Sequence, residues 1–305
     1  MTECVSEWKQ RAIAMNDGNT SWREIARRLG LPKSSVSDFL RKIVGTPPVE
    51  IPRPRILFFD IETAPMLAYA WKRWKEYISQ SQVVKEGYML TYSAKWKGGN
   101  NYIQGNITQV KDDKKIVEEL SSLINQADLI VAHNIGFDLS TLKARMVFYG
   151  MKPLKPVRLV DTWKIAKQEF RFPSNSLDSL ADYLGLGNKK KHSGFDMWKA
   201  CMALDEQEMA KMLEYNAHDV FLLEQVYDKL APWASSIPSV APLYSDGESH
   251  CPLCGSTHLS VLDKQAHTNM SSFIAYQCDD CGKVSRSRKN TRSKEDMQST
   301  LMNVI

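Results

Sequence analysis

Apolar residues recur at helical spacing through residues 1–45. The pattern predicts a helix over residues 7–16 and a second helix after Ser21, a good N-cap with Glu24 three residues later. Gly30 predicts a turn, and a third helix opens at Lys33. Two helices joined by a short glycine turn form a helix-turn-helix layout, for which the alternative is a plain three-helix bundle that contacts proteins.

A proline-rich stretch, residues 46–54, predicts a stiff, extended linker. Residues 55–235 alternate between strand and helix patterns. Strands are predicted within RILFFDIETAP, YMLTYSAKW, DLIVAHN and VRLVDT, and helices over residues 114–125, 137–148 and 204–230 and in SLDSLADYLGL. Strands followed by alternating helices and strands predict an α/β domain with a mixed, twisted sheet.

The last part of the chain has shorter patterns. Residues 247–289 contain CPLCG, CDDCG and two β-like segments, at 259–261 and 273–276. Residues 290–305 are polar and predict a tail. Six bases and no acid lie between Lys283 and Lys294. Such a run is usually solvated, but beside a nucleic-acid-binding module it is suited to contact phosphates.

Composition narrows the class of protein only slightly. The formal net charge of +5 permits a nucleic-acid partner without requiring one. With 43% hydrophobic residues, the 305-residue chain supplies one sizeable core and smaller appendages. No run approaches the roughly 18 apolar residues of a membrane helix, and the first ten residues do not resemble a secretory signal. We therefore expect a cytoplasmic protein without a membrane partner.

Four acids are candidates for catalysis. Asp60 and Glu62 occupy alternate positions at the end of the first core strand, so both carboxylates face the same way. A divalent cation removes the like-charge penalty of such a pair, although acids at a strand end also simply face water. Asp138 follows another strand in the first turn of a helix, and Asp219 lies in the middle of a long helix. We expect the four to converge at the carboxyl edge of the sheet, where open α/β sheets commonly bind ligands.

In this order and context, Asp60, Glu62, Asp138 and Asp219 resemble the four acids of the DEDD exonucleases. That family includes the proofreading domains of DNA polymerases, and its fold is ribonuclease-H-like. The resemblance covers roughly residues 55–230. It implies a metal-dependent 3′-5′ exonuclease with a mixed sheet flanked by helices.

The subclass depends on the residue that precedes the last acid. Tyr215 lies four residues before Asp219, as in the tyrosine subclass, whereas the histidine subclass carries histidine at the position of Glu214. Asp161 and SLDSLADYLGL resemble the segment between the second and third motifs, and Asp161 is also a candidate fifth acid. The stretch MLAYAWKRWKEY resembles phage and prophage members, which implies a bacterial or phage-infected cell.

The resemblance implies hydrolysis of phosphodiester bonds with two Mg²⁺ or Mn²⁺ ions, which hard oxygen ligands favour. Two such ions about 4 Å apart generate hydroxide, stabilise the crowded phosphorane and assist the leaving oxygen. In the family pattern, Asp60 bridges both ions, and Glu62 and Asp219 complete the site of the ion that activates water. Asp138 holds the second ion, partly through water, and Tyr215 orients the attacking water through its hydroxyl.

Four cysteines form two CxxCG pairs separated by 23 residues, namely Cys251, Cys254, Cys278 and Cys281. In a cytoplasmic chain this spacing favours a metal over disulfides, and four thiolates suit structural Zn²⁺ in tetrahedral coordination. With two strands between the pairs, the region resembles a zinc ribbon. We expect one Zn²⁺ and a segment that does not fold without it.

Both ends of the chain are candidates for nucleic-acid binding. SWREIARRLGLPKSSVSDFLRK resembles the helix-turn-helix of bacterial and phage DNA-binding proteins. The residues that this layout would present to a groove are Lys33, Ser34, Ser35 and Ser37. The zinc ribbon is expected to bind phosphates through Arg286, Arg288 and Lys289, with a protein-docking role as the alternative. Trp71, Trp74 and Tyr77 either stack unpaired bases or pack their own loop.

Two other functions remain open from the sequence. A transposase or integrase also combines a helix-turn-helix, a ribonuclease-H-like core and a zinc ribbon, but its chemistry normally needs three acids and no tyrosine before the last. A DNA-binding regulator with an inactive nuclease core is the alternative without catalysis. We favour the exonuclease, acting on single-stranded or frayed 3′ ends of DNA, with RNA open and replication or recombination proteins as expected partners.

Overall fold

The structure, a computed structural model, describes residues 7–16, 20–44, 54–74, 76–187, 194–244 and 246–301. The chain divides into two compact units, Met1–Pro52 and Arg53–Ile305. The predicted break at residues 17–19 and nearly all of the predicted linker lie outside the described residues. In the part of the chain that the structure describes, every helix is too short or too polar to cross a bilayer.

The first unit consists of α1 (Glu7–Met15), α2 (Trp22–Leu29) and α3 (Lys33–Val44). The Ser21 hydroxyl accepts the N–H of Glu24 at 3.3 Å and caps α2, as its position predicts. Gly30 ends that helix with φ of 63°, a left-handed conformation that favours glycine. The three helices enclose a small apolar core whose buried members are Ala12, Ile25, Ala26, Val36 and Leu40.

Not all of the residues of α3 that were predicted to contact DNA lie on its exposed face. Lys33, Ser34 and Ser35 are exposed. Ser37 is only 8% exposed, because at helical spacing it shares the inward face of α3 with the core residue Leu40. Ser37 is therefore not available to a groove of DNA, and the prediction is corrected at this position.

The second unit is built on a five-stranded sheet with the order β5-β4-β1-β6-β7. Its strands are β1 (Ile56–Ala64), β4 (Tyr88–Trp96), β5 (Tyr102–Asn106), β6 (Leu129–Ala132) and β7 (Arg158–Asp161). The pairs β1–β4 and β4–β5 are antiparallel, and β1–β6 and β6–β7 are parallel. The short strands β2 (Leu67–Ala68) and β3 (Val83–Lys85) form a separate antiparallel pair.

Helices cover both faces of the five-stranded sheet. They are α4 (Lys114–Ile124), α5 (Ile135–Phe148), α6 (Thr162–Glu169), α7 (Leu177–Tyr183), α8 (Phe195–Met202) and α9 (Glu206–Leu230). Alternate residues of β1 enter different cores: Leu57 and Phe59 pack into one apolar cluster, and Phe58 packs into the other. This two-sided burial explains why β1 reads as a continuous apolar run and lies at the centre of the sheet.

The predicted mixed sheet flanked by helices is confirmed. The elements that the sequence pattern did not predict are short: the β2–β3 pair, β5, α6 and α8. The half-buried edge strand β5 has no clear alternation of apolar and polar residues. The predicted helix at residues 137–148 begins earlier, at Ile135, because Asn134 occupies its N-cap position with φ of 62°.

The cysteine-rich region contains β8 (Leu259–Val261), β9 (Ala266–His267), β10 (Ser272–Cys278), β11 (Val284–Asn290) and α10 (Lys294–Gln298). The strand order is β11-β10-β8, and β9 also pairs with β10. Most of the basic run lies on the edge strand β11, and the predicted polar tail contains α10. The strand alternates, since Ser285 and Ser287 are half-buried while Arg286 and Arg288 point outward.

This region shares a core with the five-stranded sheet. Cys251 and Cys278 belong to the same apolar cluster as Phe58. The buried side chain of Lys283 donates a hydrogen bond to the carbonyl of Ala234, just beyond α9. The predicted boundary between the two domains therefore crosses a shared core, and the two parts belong to one compact unit.

Candidate active site

Three carboxylates from two distant segments meet at the centre of the sheet. Asp60 and Glu62 lie on β1 on either side of the buried Ile61, and Asp219 lies on α9 with 3% of its surface exposed. One carboxylate oxygen of each acid lies within 4.8 Å of those of the other two. Strand alternation places the first two on one face, and the long helix brings the third to them.

Polar contacts hold α9 across the sheet on both sides of Asp219. The Gln104 side chain on β5 donates to the carbonyl of Leu213 at 2.7 Å. One turn beyond Asp219, Glu224 forms a largely buried ion pair with Lys95 on β4. Because the helix is fixed before and after Asp219, that carboxylate is held over β1.

Asp138 lies beside this group but is not one of the three clustered acids. It is 3% exposed in the first turn of α5, and its Oδ1 accepts the N–H of Ile61 at 3.3 Å. The pKa of Asp138 is raised to about 7, mainly by burial and also by the charge of Asp161, although the N–H of Ile61 opposes the rise. A carboxylate removed from water in this way requires a proton or a cation to offset its charge.

Asp161 joins the neighbourhood from the end of β7. Its Oδ1 caps α6 by accepting the N–H of Trp163 at 3.1 Å, and it also accepts the N–H of Asn134 at 3.0 Å. Its Oδ2 is buried and has no hydrogen-bond partner within the described ranges. The charge of Asp161 acts on Asp138, so the structure places this candidate fifth acid near the fourth.

An aromatic cavity lies at the end of β1, the strand that carries Asp60 and Glu62. Tyr215 is half-buried on α9 one turn before Asp219, and its ring meets the edge of Trp198 at a centroid distance of 6.4 Å. Trp198 and Phe195 on α8 line a cavity of about 310 Å³ together with Thr63, the residue that follows Glu62. The sequence pattern did not predict α8, and the cavity therefore comes from the structure alone.

Asn216 is a site residue that sequence reasoning missed. It is wholly buried on α9, and its Nδ2 donates to Asp60 Oδ2 at 2.6 Å. Its Oδ1 accepts the hydroxyl of Thr91, on the neighbouring strand β4, at 3.3 Å. Its spacing contained a signal, since a residue three before Asp219 lies on the same face of the helix.

The donor set fits a hard divalent cation. Asp60, Glu62 and Asp219 offer three carboxylate oxygens at mutual distances that one ion can bridge, without sulfur or nitrogen donors. Asp138 adds a fourth, buried carboxylate behind Ile61. Like charges this close repel one another, and a bound cation would remove that penalty.

The four cysteine sulfurs form a second cluster, also within 4.8 Å of one another. The Sγ atoms of Cys251 and Cys281 lie 3.6 Å apart, as do those of Cys254 and Cys278. These distances exceed a disulfide bond of about 2.05 Å. They are close to the separation of about 3.8 Å that four sulfurs at about 2.3 Å from a tetrahedral zinc would have. The cluster therefore fits structural Zn²⁺.

Each cysteine pair is closed by a glycine in the left-handed region. Gly255 has φ of 79° and Gly282 has φ of 75°. Their N–H groups donate to the carbonyls of Cys251 at 3.0 Å and Cys278 at 2.8 Å. A side chain at Gly255 would also collide with Tyr244, at 1.9 Å from its hydroxyl. Both turns thus require glycine for the reason that the CxxCG pattern indicates.

The candidate phosphate contacts of the cysteine-rich region lie on its edge strand. Arg286, Arg288 and Lys289 are exposed on β11. The guanidinium of Arg286 lies 3.9 Å from the centre of the Phe273 ring, which holds this cation against the strand surface. The residues form a basic edge, and nothing in their geometry selects one anionic partner.

Residues 84–233 match a protein family described as 3′-5′ exonuclease. The matched segment contains Asp138, Tyr215 and Asp219 and begins after β1, which carries Asp60 and Glu62. The chain therefore contains a 3′-5′ exonuclease domain, which is an enzyme domain of the hydrolase class. The mixed sheet flanked by helices is consistent with the ribonuclease-H-like fold expected for it.

Solved structures resemble the chain more distantly. The family B DNA polymerase of the hyperthermophilic archaeon Pyrobaculum calidifontis is 18% identical with a TM-score of 0.46, over 59% of this chain and 25% of the polymerase. The EXO domain of Nibbler from Aedes aegypti is 15% identical with a TM-score of 0.39, over 63% of this chain and 83% of that domain. The mariner Mos1 paired end complex is 13% identical with a TM-score of 0.19, over 78% of this chain and 82% of the Mos1 chain. A search of curated protein sequences returned no match.

Proposed function

We propose that the protein is a metal-dependent 3′-5′ exonuclease that removes nucleotides from the 3′ end of a nucleic acid, with DNA favoured. One observation carries the proposal. The exonuclease match begins at residue 84, yet β1 brings Asp60 and Glu62 to within 4.8 Å of Asp219 in the matched segment. A carboxylate group of this composition has the ligands that divalent-metal phosphodiester hydrolysis needs.

Asp60, Glu62 and Asp219 would hold one Mg²⁺ or Mn²⁺ ion, and Asp60 with Asp138 would hold a second. When bound, such ions supply an activated water and neutralise charge on the phosphate. The side chains must stay in place to do this. Asn216 fixes Asp60 by donating to its Oδ2, and the Ile61 N–H fixes Asp138 in the same way.

Tyr215 and the aromatic cavity act on the other reactants. Tyr215 lies one helical turn before Asp219, and its hydroxyl would orient the attacking water by hydrogen bonding. A free tyrosine hydroxyl has a pKa of about 10 and is a poor general base at neutral pH. Trp198 and Phe195 would hold the base of the 3′-terminal nucleotide by stacking beside Glu62. We infer that the cavity sets the position of the scissile phosphate.

The accessory parts would bind the rest of the nucleic acid. We infer that the three-helix unit is a DNA-binding helix-turn-helix that uses its exposed residues Lys33, Ser34 and Ser35. The cysteine-rich region is proposed to be a zinc ribbon whose basic edge, Arg286, Arg288 and Lys289, contacts phosphates. The division into helix-turn-helix, exonuclease domain and zinc ribbon is part of the same proposal.

The test uses 5′-labelled single-stranded DNA and RNA, with Mg²⁺, with Mn²⁺ or without added divalent ion. We expect a ladder of products that shortens from the 3′ end and needs the ion. Asp60→Asn and Asp219→Asn keep the shape of the side chain and remove its charge, and each is expected to abolish the ladder. Asp182→Asn, an exposed acid on α7, is the matched control and should cleave normally.

The products separate the competing functions. Internal nicks or strand joining would move the protein to the transposase class. Binding without any cleavage, by folded protein that contains its zinc, would leave a DNA-binding regulator. Equal cleavage by the Asp60→Asn variant would show that the carboxylate group is not the catalytic centre.

A further inference from the structure

A loop after the catalytic strand exposes aromatic rings to solvent. We call residues 69–74 together with Tyr77, which follow β2, the aromatic loop. Tyr69 is 77% exposed, Trp71 90%, Trp74 81% and Tyr77 90%. The sequence left open whether Trp71, Trp74 and Tyr77 pack their own loop, and exposures this high exclude that explanation. Large aromatic side chains generally bury most of their hydrophobic surface, so four exposed within nine residues indicate an interaction site.

The backbone of the aromatic loop is held in place although its rings are not buried. The Glu76 carboxylate accepts the N–H of Trp71 at 3.0 Å and of Lys72 at 2.5 Å. The Gln82 side chain donates to the carbonyl of Tyr69 at 3.0 Å and to Glu76 at 3.1 Å. The backbone N–H groups lower the pKa of Glu76, which therefore keeps its charge and its grip on the loop at neutral pH. A partner would meet rings already positioned, which lowers the entropy cost of binding.

Cations lie between the rings. Lys72 and Arg73 are exposed and separate Trp71 from Trp74. Unpaired nucleic acid alternates in the same way, since each nucleotide offers a base with a flat aromatic face and a charged phosphate. Proteins bind single strands by stacking bases on aromatic side chains while basic groups follow the backbone. The composition of the loop matches that ligand in both respects.

The location of the loop favours the same ligand. Strand β1 ends at Ala64, two residues after Glu62, and Thr63 and Pro65 line the aromatic cavity. Strand β2 (Leu67–Ala68) begins two residues after Pro65 and leads directly into the aromatic loop. A single strand whose 3′ end occupies the cavity would thus reach the aromatic loop without leaving this surface.

We propose that the aromatic loop binds the unpaired strand that leads into the active site, by stacking bases on Tyr69, Trp71, Trp74 and Tyr77 and by contacting phosphates with Lys72 and Arg73. The direction of the strand rests on the proposed exonuclease function, whereas the stacking surface itself does not. A lipid interface would also contact exposed aromatic and basic residues, and the test below includes it as an outcome.

The test measures binding of a fluorescent hairpin with an unpaired 3′ tail of twelve thymidines, by anisotropy. The full chain carries Asp60→Asn throughout so that the tail stays intact. Trp71→Ala and Trp74→Ala are each expected to raise Kd about 5- to 150-fold, the range for loss of one stacked base. Trp71→Phe should recover most of the affinity. Trp233→Ala removes a tryptophan that is 70% exposed at the end of α9, and this matched control should bind like the parent.

Two further measurements define the ligand. A blunt hairpin should bind equally to parent and loop variants, and Lys72→Ala with Arg73→Ala should lower the salt dependence of tail binding. Unchanged tail affinity in both tryptophan variants would overturn the proposal, as would an equal loss on the blunt hairpin. If the tryptophan variants lost binding to anionic lipid vesicles but kept the parent's affinity for the tail, the loop would be assigned to a membrane instead. The assay measures binding and not cleavage. It therefore tests the aromatic loop even if the protein turns out not to be an exonuclease.

Discussion

The hydrogen bond from Asn216 to Asp60 leads to a specific prediction about metal affinity. Asn216→Ala removes the donor 2.6 Å from Asp60 Oδ2 and leaves the Thr91 hydroxyl without its acceptor on α9. Removing a hydrogen bond to a charged group costs about 1.5–3 kcal/mol. The loss of a side chain that orients a metal ligand typically lowers metal affinity or activity about 10- to 100-fold. We therefore expect the Mg²⁺ concentration for half-maximal cleavage to rise by that factor.

The assay titrates Mg²⁺ at saturating 5′-labelled single-stranded DNA and records the initial rate of 3′-end shortening. If Asn216 only positions Asp60, part of the lost rate should return at high Mg²⁺. Thr91→Val breaks the contact to Asn216 but leaves the one to Asp60, so its shift should be smaller. Asn106→Ala is the matched control, because its side chain bonds the neighbouring Ile107 carbonyl on the edge of the same sheet.

A rate that falls equally at every Mg²⁺ concentration would refute this reasoning, since the defect would then lie in the chemical step or in folding. Thermal melting separates these two causes. A titration midpoint unchanged from the parent would show that Asp60 keeps its position without Asn216.

Four other substitutions test separate parts of the structure. Tyr215→Phe should lower kcat about 10- to 100-fold without changing thermal stability, because only the orientation of water is lost. Trp198→Ala should raise KM for single-stranded DNA about fivefold or more, while Trp198→Phe should not. Cys281→Ser should release zinc and lower the Tm of the exonuclease domain by about 5 °C or more, measured by calorimetry. The reason is that the cysteine-rich region and the five-stranded sheet share a core. Asp113→Ala should lower the free energy of unfolding, measured in urea, by about 3–5 kcal/mol, because Arg145 loses its carboxylate partner in a buried site. Asp112→Ala, at an exposed position, should lower it much less.

The sequence predicted the long elements because their burial follows a simple period. Strand β1 is apolar on both faces, and α9 carries a continuous stripe at helical spacing. The short elements had no such signal. Helix α8 has eight residues, and the position of its Trp198 beside Thr63 depends on the tertiary packing of α8 against α9. The sequence pattern therefore could not predict the cavity that Trp198 and Thr63 line.

In the candidate site too, the sequence predicted some residues and missed others. Charge and spacing singled out Asp60, Glu62 and Asp219, because carboxylates brought together repel one another unless a cation or a proton offsets their charge. Asn216 carries no charge and matches no motif, so only the coordinates reveal that it holds Asp60. Burial also removed Ser37 from the predicted DNA contacts, since the pattern of polar residues alone does not show which of them face the core.

The assembly of the site ties catalysis to the centre of the fold. Strand β1 fills both cores with Leu57, Phe58 and Phe59, and the next positions carry the two acids. The exonuclease match lacks this strand, yet β1 lies between β4 and β6, both of which the match includes. Pairing with a neighbouring strand on each side fixes the register of β1 and places its two acids next to Asp219. The position of the strand thus accounts for a complete carboxylate group in a chain whose family match begins after the first two acids.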